Sequence, residues 1–259
     1  MSGHGGTAGG PAGDVAAVLE FLRGFARRRA RRVVPVPGGF GVLDDRFPAS
    51  YDDNKLIVWH GEDPRAVLAA AEEVLAGYGH RLVCVDDDRL GRAFAPAFAA
   101  AGYQHEENVL MVFRGEPPRV PQAEELPLGT LLPVLRETWR ESLPEASDEV
   151  IEQLAGRTGT RLRGAGRVVF RGVRAADGEV AARADLYVHD GVAQIEDVVT
   201  AGRHRGQGYG RALMRALVAE AAAQAELVFL VADAHDWPKD FYARLGFAEV
   251  GRTHAFVRV

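Results

Sequence analysis

The sequence predicts a mixed α/β fold of α+β type, in which a mostly antiparallel central sheet is flanked by helices. Three observations carry this expectation. First, strand-like runs follow one another across turn dipeptides: "GRVVFRGV" meets "EVAARADLYVH" across Asp177-Gly178, and that run meets "VAQIEDVVT" across Asp190-Gly191. Asp-Gly pairs favour tight hairpins because both residues tolerate positive φ. Second, a glycine-rich loop and an amphipathic stretch then lead into the apolar "LVFLV", the pattern of strand, crossover helix and parallel strand. Third, "FAAAGYQHEENVLMVFR" can be laid on "YARLGFAEVGRTHAFVR", with Gly102 on Gly246 and Arg114 on Arg258, so the chain reads as two related tandem units.

The elements follow in order. Residues 1–13 have little to bury and are expected to form a disordered tail. From Asp14, the apolar Val15, Val18, Leu19, Leu22 and Phe25 recur at helical spacing, and the helix runs into "RRRARR" at residues 27–32. That charge suits a solvated helix C-terminus, the alternative being contact with an anionic ligand or RNA. Pro35, Pro37, Gly38 and Gly39 break the pattern. "KLIVWH" is a strand, Asp63 caps a helix that starts at Pro64, "HRLVCVD" is a strand, a short helix closes on Gly102, and "ENVLMVFR" is a final strand. Residues 114–127 hold four prolines and several charges, a linker composition that places a domain boundary near residue 118 and divides the chain into 14–118 and 119–259. Two helices, "LGTLLPVLRETW" and "SDEVIEQLAG", precede the meander. Its middle strand alternates, Val180, Ala182, Ala184, Leu186 and Val188 facing the core and Arg183, Asp185, Tyr187 and His189 facing away.

Composition excludes several functions. With 31 Lys and Arg against 36 Asp and Glu, the chain is mildly acidic, which argues against a dedicated nucleic-acid binder. The single cysteine, Cys84, rules out a disulfide framework or a Cys-based zinc site within one chain and reads as a small buried hydrophobe. No histidine pair has metal-ligand spacing on a helix, so no metal is expected. The glycine-rich N-terminus lacks the blocks of a signal peptide and no apolar run is long enough to span a bilayer, so a cytoplasmic monomer or homodimer is expected.

Chemistry concentrates in "DVVTAGRHRGQGYGRALM". Gly206, Gly208 and Gly210 lie between a strand and a helix whose positions 210, 213, 214, 217, 218 and 221 are all glycine or apolar. Bare backbone N–H groups at a helix N-terminus trap anions, and missing side chains let a phosphate approach. A P-loop would need Lys and Ser or Thr where Arg211 and Ala212 stand, and the glycine spacing does not fit G-x-G-x-x-G. A phosphate ligand of another kind and a merely tight turn both stay open on the glycines alone.

Arg205, Gly208 and Gly210 resemble the R/Q-x-x-G-x-G/A signature of the GNAT superfamily of N-acetyltransferases, and "FYARLGF", with Tyr242, Leu245, Gly246 and Phe247, resembles its second signature. The resemblance covers essentially all of residues 119–259. It implies that acetyl-CoA is bound, its pyrophosphate on the amides of Arg205, Gly206, Gln207, Gly208, Tyr209, Gly210 and Arg211. The pantetheine arm would run along Val198, Val199 and Thr200, beside a splay between that strand and "LVFLV". Acetyl transfer to an amine needs a base, an oxyanion donor and an acid for the departing thiolate. Glu196, on the same strand face as Val198, is the expected base, with Asp197 facing the other way unless a bulge shifts the pleat. Tyr242 is the expected acid, against the alternative of a core aromatic, and the N–H of Val198 or Val199 the oxyanion donor.

His235 stands where the family commonly has asparagine, a departure. Asp236 is expected to cap the helix that Pro238 begins, Trp237 to pack over the acyl pocket or staple the turn, and His204 to sit in the loop near phosphate. The N-terminal half has Phe98 in place of Tyr242 and no glycine loop, so it reads as a degenerate GNAT-like unit. The expected function is acetyl-CoA-dependent N-acetylation of a primary amine, on a small molecule or a peptide, by direct attack in a ternary complex. The alternative is a non-catalytic acyl-CoA sensor or interaction protein of the same fold.

Overall fold

Local chemistry sets most element boundaries in the computed structural model, which describes residues 10–259. In the first half, α1 (Pro11–Arg29) leads to the hairpin β1 (Arg32–Val36) and β2 (Gly39–Leu43), then β3 (Lys55–Val58), α2 (Pro64–Val74), β4 (Arg81–Val85), α3 (Asp88–Ala100) and β5 (Gln104–Phe113). The second half holds β6 (Glu124–Glu125), α4 (Leu128–Ser142), α5 (Asp148–Gly156), α6 (Thr158–Arg161) and the meander β7 (Arg167–Arg174), β8 (Val180–His189) and β9 (Val192–Thr200). It continues with α7 (Tyr209–Ala222), β10 (Leu227–Asp233), α8 (Pro238–Arg244) and β11 (Phe247–Arg258).

All strands join one 11-stranded sheet in the order β1-β2-β3-β4-β11-β5-β10-β9-β8-β7-β6. Among the described strand pairs only β3/β4 and β9/β10 run parallel, and each pair is bridged by a helix, α2 or α7. The two halves exchange their last strands. β11 lies beside β4 of the first half, β5 lies beside β10 of the second, and β5 and β11 pair with each other along the middle of the sheet. Gly102 and Gly246, which precede these strands, both adopt positive φ, 82° and 100°, as their alignment in the sequence suggests.

Apolar clusters cover both faces. α7 buries Leu213, Met214, Leu217 and Ala221 against Ala184, Leu186, Ile195 and Leu230. In the first half, α2 and α3 enclose Val67, Phe94 and Phe98 with Val83 and with Phe256 of the exchanged strand. On another face, Val18, Phe21 and Phe25 of α1 pack on Leu110, Val112, Tyr187 and Phe229, so this helix clamps strands from both halves. Burying each such side chain is worth roughly 1.5–3 kcal/mol.

Four expectations change. Helix α1 begins at Pro11, ahead of the predicted end of the tail, whose residues 1–9 lie outside the described residues. The Pro37-Gly38 break is the turn of the β1/β2 hairpin: Gly38 has φ 76°, and a Cβ on Gly39 would meet the Ile57 carbonyl oxygen at 1.9 Å. Arg29 is not solvated but only 4% exposed, with Nη1 2.6 Å from Asp53 and Nη2 2.6 Å from Asp52. Finally, the polar face of β8 is covered as well, Arg183, Asp185 and Tyr187 being buried, because α1 and α6 close over it.

Candidate active site

The parallel strands β9 and β10 pair only at Leu227↔Val192, Val228↔Ala193 and Phe229↔Gln194, and then separate. Beyond Gln194, the β10-facing edge of β9 has no strand partner, so its peptide groups are available to a ligand lying alongside. The opposite edge stays paired with β8, but the register shifts between Arg183 and Asp185, and Asp197 takes φ 52°. This is a β-bulge, which turns successive side chains to the same side of the sheet. Val198 consequently joins the apolar cluster under α7, whereas Glu196 and Asp197 both line a cavity of about 380 Å³ on the other side. The expectation that Glu196 shares a face with Val198 while Asp197 turns away is therefore corrected.

The loop after β9 is shaped for an anion. Gly206 and Gly208 have φ 76° and 89°, conformations that side chains disfavour, and a Cβ added to either would meet nothing within 4 Å. The space beside them is open. Gly208 is the N-cap of α7 and offers no side chain to its first amides. Gly210 serves a different end, because a Cβ there would approach Thr200 Oγ1 at 2.9 Å. Arg205 Nε donates to the Thr200 carbonyl at 3.3 Å and Gln207 Nε2 to the Arg203 carbonyl at 3.0 Å, bracing the loop. Every residue from 205 to 211, with Val198, Val199, Thr200 and Tyr242, lines one cleft of about 810 Å³. Uncapped N–H groups, a positive dipole end and open glycines fit a diphosphate.

Electrostatics divide the two acids. Burial pushes the Glu196 carboxyl up to about 7, with Arg161 opposing and Asp197 adding to the rise. Its hydrogen bond comes from Gln194 Nε2 at 2.6 Å. For Asp197 burial acts in the same direction but loses to its partners: Arg183 Nη1 at 2.8 Å and Arg161 Nη1 at 3.3 Å hold it well below the usual carboxylate range. Burial, followed by the charge of Glu196, raises the Tyr242 phenol to about 12. Two adjacent carboxyls thus take different states at neutral pH, one titrating and one fixed as an anion.

Arg161, Arg183, Asp185 and Tyr187 join the site although the sequence marks none of them for it. Arg161 Nη1 reaches Asp185 at 2.6 Å and the Tyr187 hydroxyl donates to Asp185 at 2.6 Å. The available signal was the run of Arg183, Asp185 and Tyr187 at alternate positions of a strand between two hairpins.

Pro238 begins α8, but Asp236 does not cap it; its carboxylate accepts from the Trp237 N–H at 2.7 Å, and Trp237 is the N-cap. Trp237 is 66% exposed at the cleft. His204 is buried, packs edge-on against Tyr209, and keeps Nε2 without a hydrogen-bond partner, Glu179 lying 3.5 Å away. Burial raises the Cys84 thiol to about 11. His105, Glu107 and His254, and separately Asp177, Glu179 and His204, bring possible ligand atoms within 4.8 Å of one another. In the first group the side chains already serve each other and their neighbours, His105 Nε2 lying 2.8 Å from His254 Nδ1 and Glu107 pairing with Arg252. Among the described residues no helix is long and apolar enough to cross a membrane.

Comparison with known proteins agrees with this geometry. The Acetyltransferase (GNAT) family model matches residues 130–247. A functionally unknown conserved protein from Staphylococcus epidermidis superposes with a TM-score of 0.67 at 16% identity, over 88% of this chain and 93% of its own. A GCN5-related N-acetyltransferase from Kribbella flavida gives 0.61 at 19% identity over 97% and 96% of the two chains. A tandem GNAT protein from the clavulanic acid biosynthesis pathway gives 0.55 at 19% identity over 96% and 95%. The fold shared with these proteins spans nearly the whole chain, and within it residues 130–247 form a domain that matches the GNAT acetyltransferase family.

Proposed function

We propose that the protein is an acetyl-CoA-dependent N-acetyltransferase acting on a primary amine of a small molecule or peptide. A single observation carries this reading: where β9 parts from β10, Glu196, a carboxyl that titrates near neutrality and whose charge acts on Tyr242 in the cleft, is followed directly along β9 by residues 198–200 and the open helix N-terminus. Bound in the cleft, acetyl-CoA supplies the activated acyl group as a thioester. Loop residues 205–211 hold its diphosphate through backbone N–H groups, and residues 198–200 offer their free edge to its pantetheine arm. Glu196, ionised above about pH 7, takes a proton from the bound ammonium to free the nucleophilic amine, or from the amine nitrogen as it attacks, directly or through water. The N–H of Val198 or Val199 stabilises developing negative charge on the carbonyl oxygen. Tyr242, protonated at every physiological pH, donates to the leaving sulfur.

Thiol release from acetyl-CoA, followed across a panel of primary amines, tests the proposal. Amine-dependent release that falls sharply in Glu196→Gln and Tyr242→Phe supports it. Tight acetyl-CoA binding without release toward any amine supports instead the sensor alternative.

A further inference from the structure

The cavity that holds Glu196 is walled by both halves of the chain and is dense with charge. Nearly every charge in it is already matched. Arg23 pairs with Asp86 at 2.9 Å, Arg29 with Asp52 and Asp53 at 2.6 Å each, Lys55 with Asp52 at 2.6 Å, and Arg161 with Asp185 at 2.6 Å. Asp197 is held by Arg183 at 2.8 Å. Two groups of opposite character stand apart. Glu196 has only the Gln194 amide, and no cation lies within ion-pair distance of it among the described residues. Arg157, at the junction of α5 and α6, reaches carboxylate oxygens only at 3.5 Å, and those belong to Asp52 and Asp53, which Arg29 already holds.

The guanidinium of Arg157 is also incompletely used. Its hydrogen bonds to described residues all leave from Nη1, the shortest to Ser50 Oγ at 3.0 Å, while the buried Nε has no partner. An orphaned donor on a buried guanidinium is costly unless an acceptor completes it. The free side of the fork, Nε with Nη2, is the edge that matches a carboxylate in a bidentate manner. The Trp139 ring, whose centroid is 5.7 Å from the guanidinium carbon, also lines the cavity and supports the group from one side. A second hollow, of about 720 Å³, shares Asp52, Trp139 and Arg157 with the first, so Arg157 stands where the two meet.

Resting on the acetyltransferase reading of this site, we infer that the acceptor is a small amino carboxylate, its amine directed to Glu196 and its carboxylate to the free fork of Arg157. The cavity, about 380 Å³, suits an amino acid or a molecule of that size. A polyamine fits less well, because its distal ammonium would meet Arg157, and the nearest acids are committed to Arg29 and Lys55. On this assignment Arg157 is a specificity-determining residue that touches substrate away from the reacting atoms.

The test uses the full chain with acetyl-CoA and pairs each free L-amino acid with its α-amide, which keeps the amine and the size and loses the negative charge. Thiol release should favour the acid over the amide by about 100-fold in kcat/KM for the best acceptors, since a site built to bind a polar group strongly rejects the analogue lacking it. Arg157→Gln should abolish that preference by raising KM for the acid, leaving the amide's constants and acetyl-CoA affinity unchanged. Arg157→Lys, which keeps the charge and loses the fork, should retain a reduced preference of roughly tenfold. Calorimetric binding of the same amino acids to the CoA-loaded protein gives a readout independent of turnover. Equal or better use of amides by the unmodified protein, parallel loss of acid and amide activity in a folded Arg157→Gln variant, or no binding of any amino acid would overturn the inference. Acetylation of carboxylate-free amines as efficient as that of the amino acids removes this inference alone, whereas absence of acetyl-CoA binding removes the acetyltransferase reading with it.

Discussion

The crossover β3–α2–β4 and the crossover β9–α7–β10 share one plan, and they differ at two places that decide where a ligand can bind. In the first, the parallel ladder continues to its end, with the Asp86 N–H donating to the Val58 carbonyl at 2.9 Å. In the second, pairing stops after Gln194 and Phe229. The first helix starts on Asp63, whose carboxylate accepts from the Arg65 N–H at 2.9 Å; the second starts on Gly208, with no side-chain cap. Even the following helices differ in this sense, Phe98 being wholly buried where Tyr242 faces a cleft. One unit satisfies its own backbone groups and the other leaves them for a ligand. The first half then contributes α1, Asp52 and Lys55 to the wall of the cavity that holds Glu196.

That contrast can be broken in graded ways. The largest effect is expected from Glu196→Gln, which should lower kcat by about 100- to 1000-fold, typical of a lost general base, without lowering acetyl-CoA affinity. The unmodified protein should show kcat/KM rising with pH through about 7 and then levelling, a limb that the Gln variant lacks. Gly208→Val imposes a side chain on a residue with φ 89° and fills the open anion site, so calorimetry should show acetyl-CoA affinity reduced by roughly 100-fold. Tyr242→Phe should reduce kcat by about 10- to 100-fold. The mildest is Asp63→Ala, which uncaps α2: it should cost about 1 kcal/mol of stability in denaturant titration and leave acetyl-CoA affinity untouched.

Glu196 also links pH to stability, and the sign follows from its raised value. The folded state keeps the proton from the ordinary value of 4.5 up to about 7, so the stabilisation is fully present below pH 4.5 and is lost as pH rises through about 7. Glu196→Gln should flatten stability over that window. Asp197 contributes oppositely, since its depressed value adds stability that is lost only under strong acid.

What the sequence revealed is what local chemistry controls. The Asp-Gly hairpins, the apolar face of α7 and the positive φ of Gly206 and Gly208 all follow from residues adjacent in the chain. The exchange of β5 and β11 does not, because pairing of Phe256 with Val83 and His105 joins distant segments of similar strand character. The β1/β2 hairpin was hidden by Pro37-Gly38, which marks a turn as readily as a break in structure. Strand alternation placed Glu196 and Asp197 on opposite faces, and one left-handed residue inside β9 was enough to bring them together. Arg29 and Arg161 look like surface charge until the carboxylates that bury with them, Asp53 and Asp185, are seen in space.

The most direct measurement is the stoichiometry of acetyl-CoA binding by isothermal titration. One molecule should bind per chain, the site should vanish or weaken about 100-fold in Gly208→Val, and it should persist unchanged in Asp63→Ala. No binding, or a second site of similar strength, would contradict the division between an open and a closed crossover.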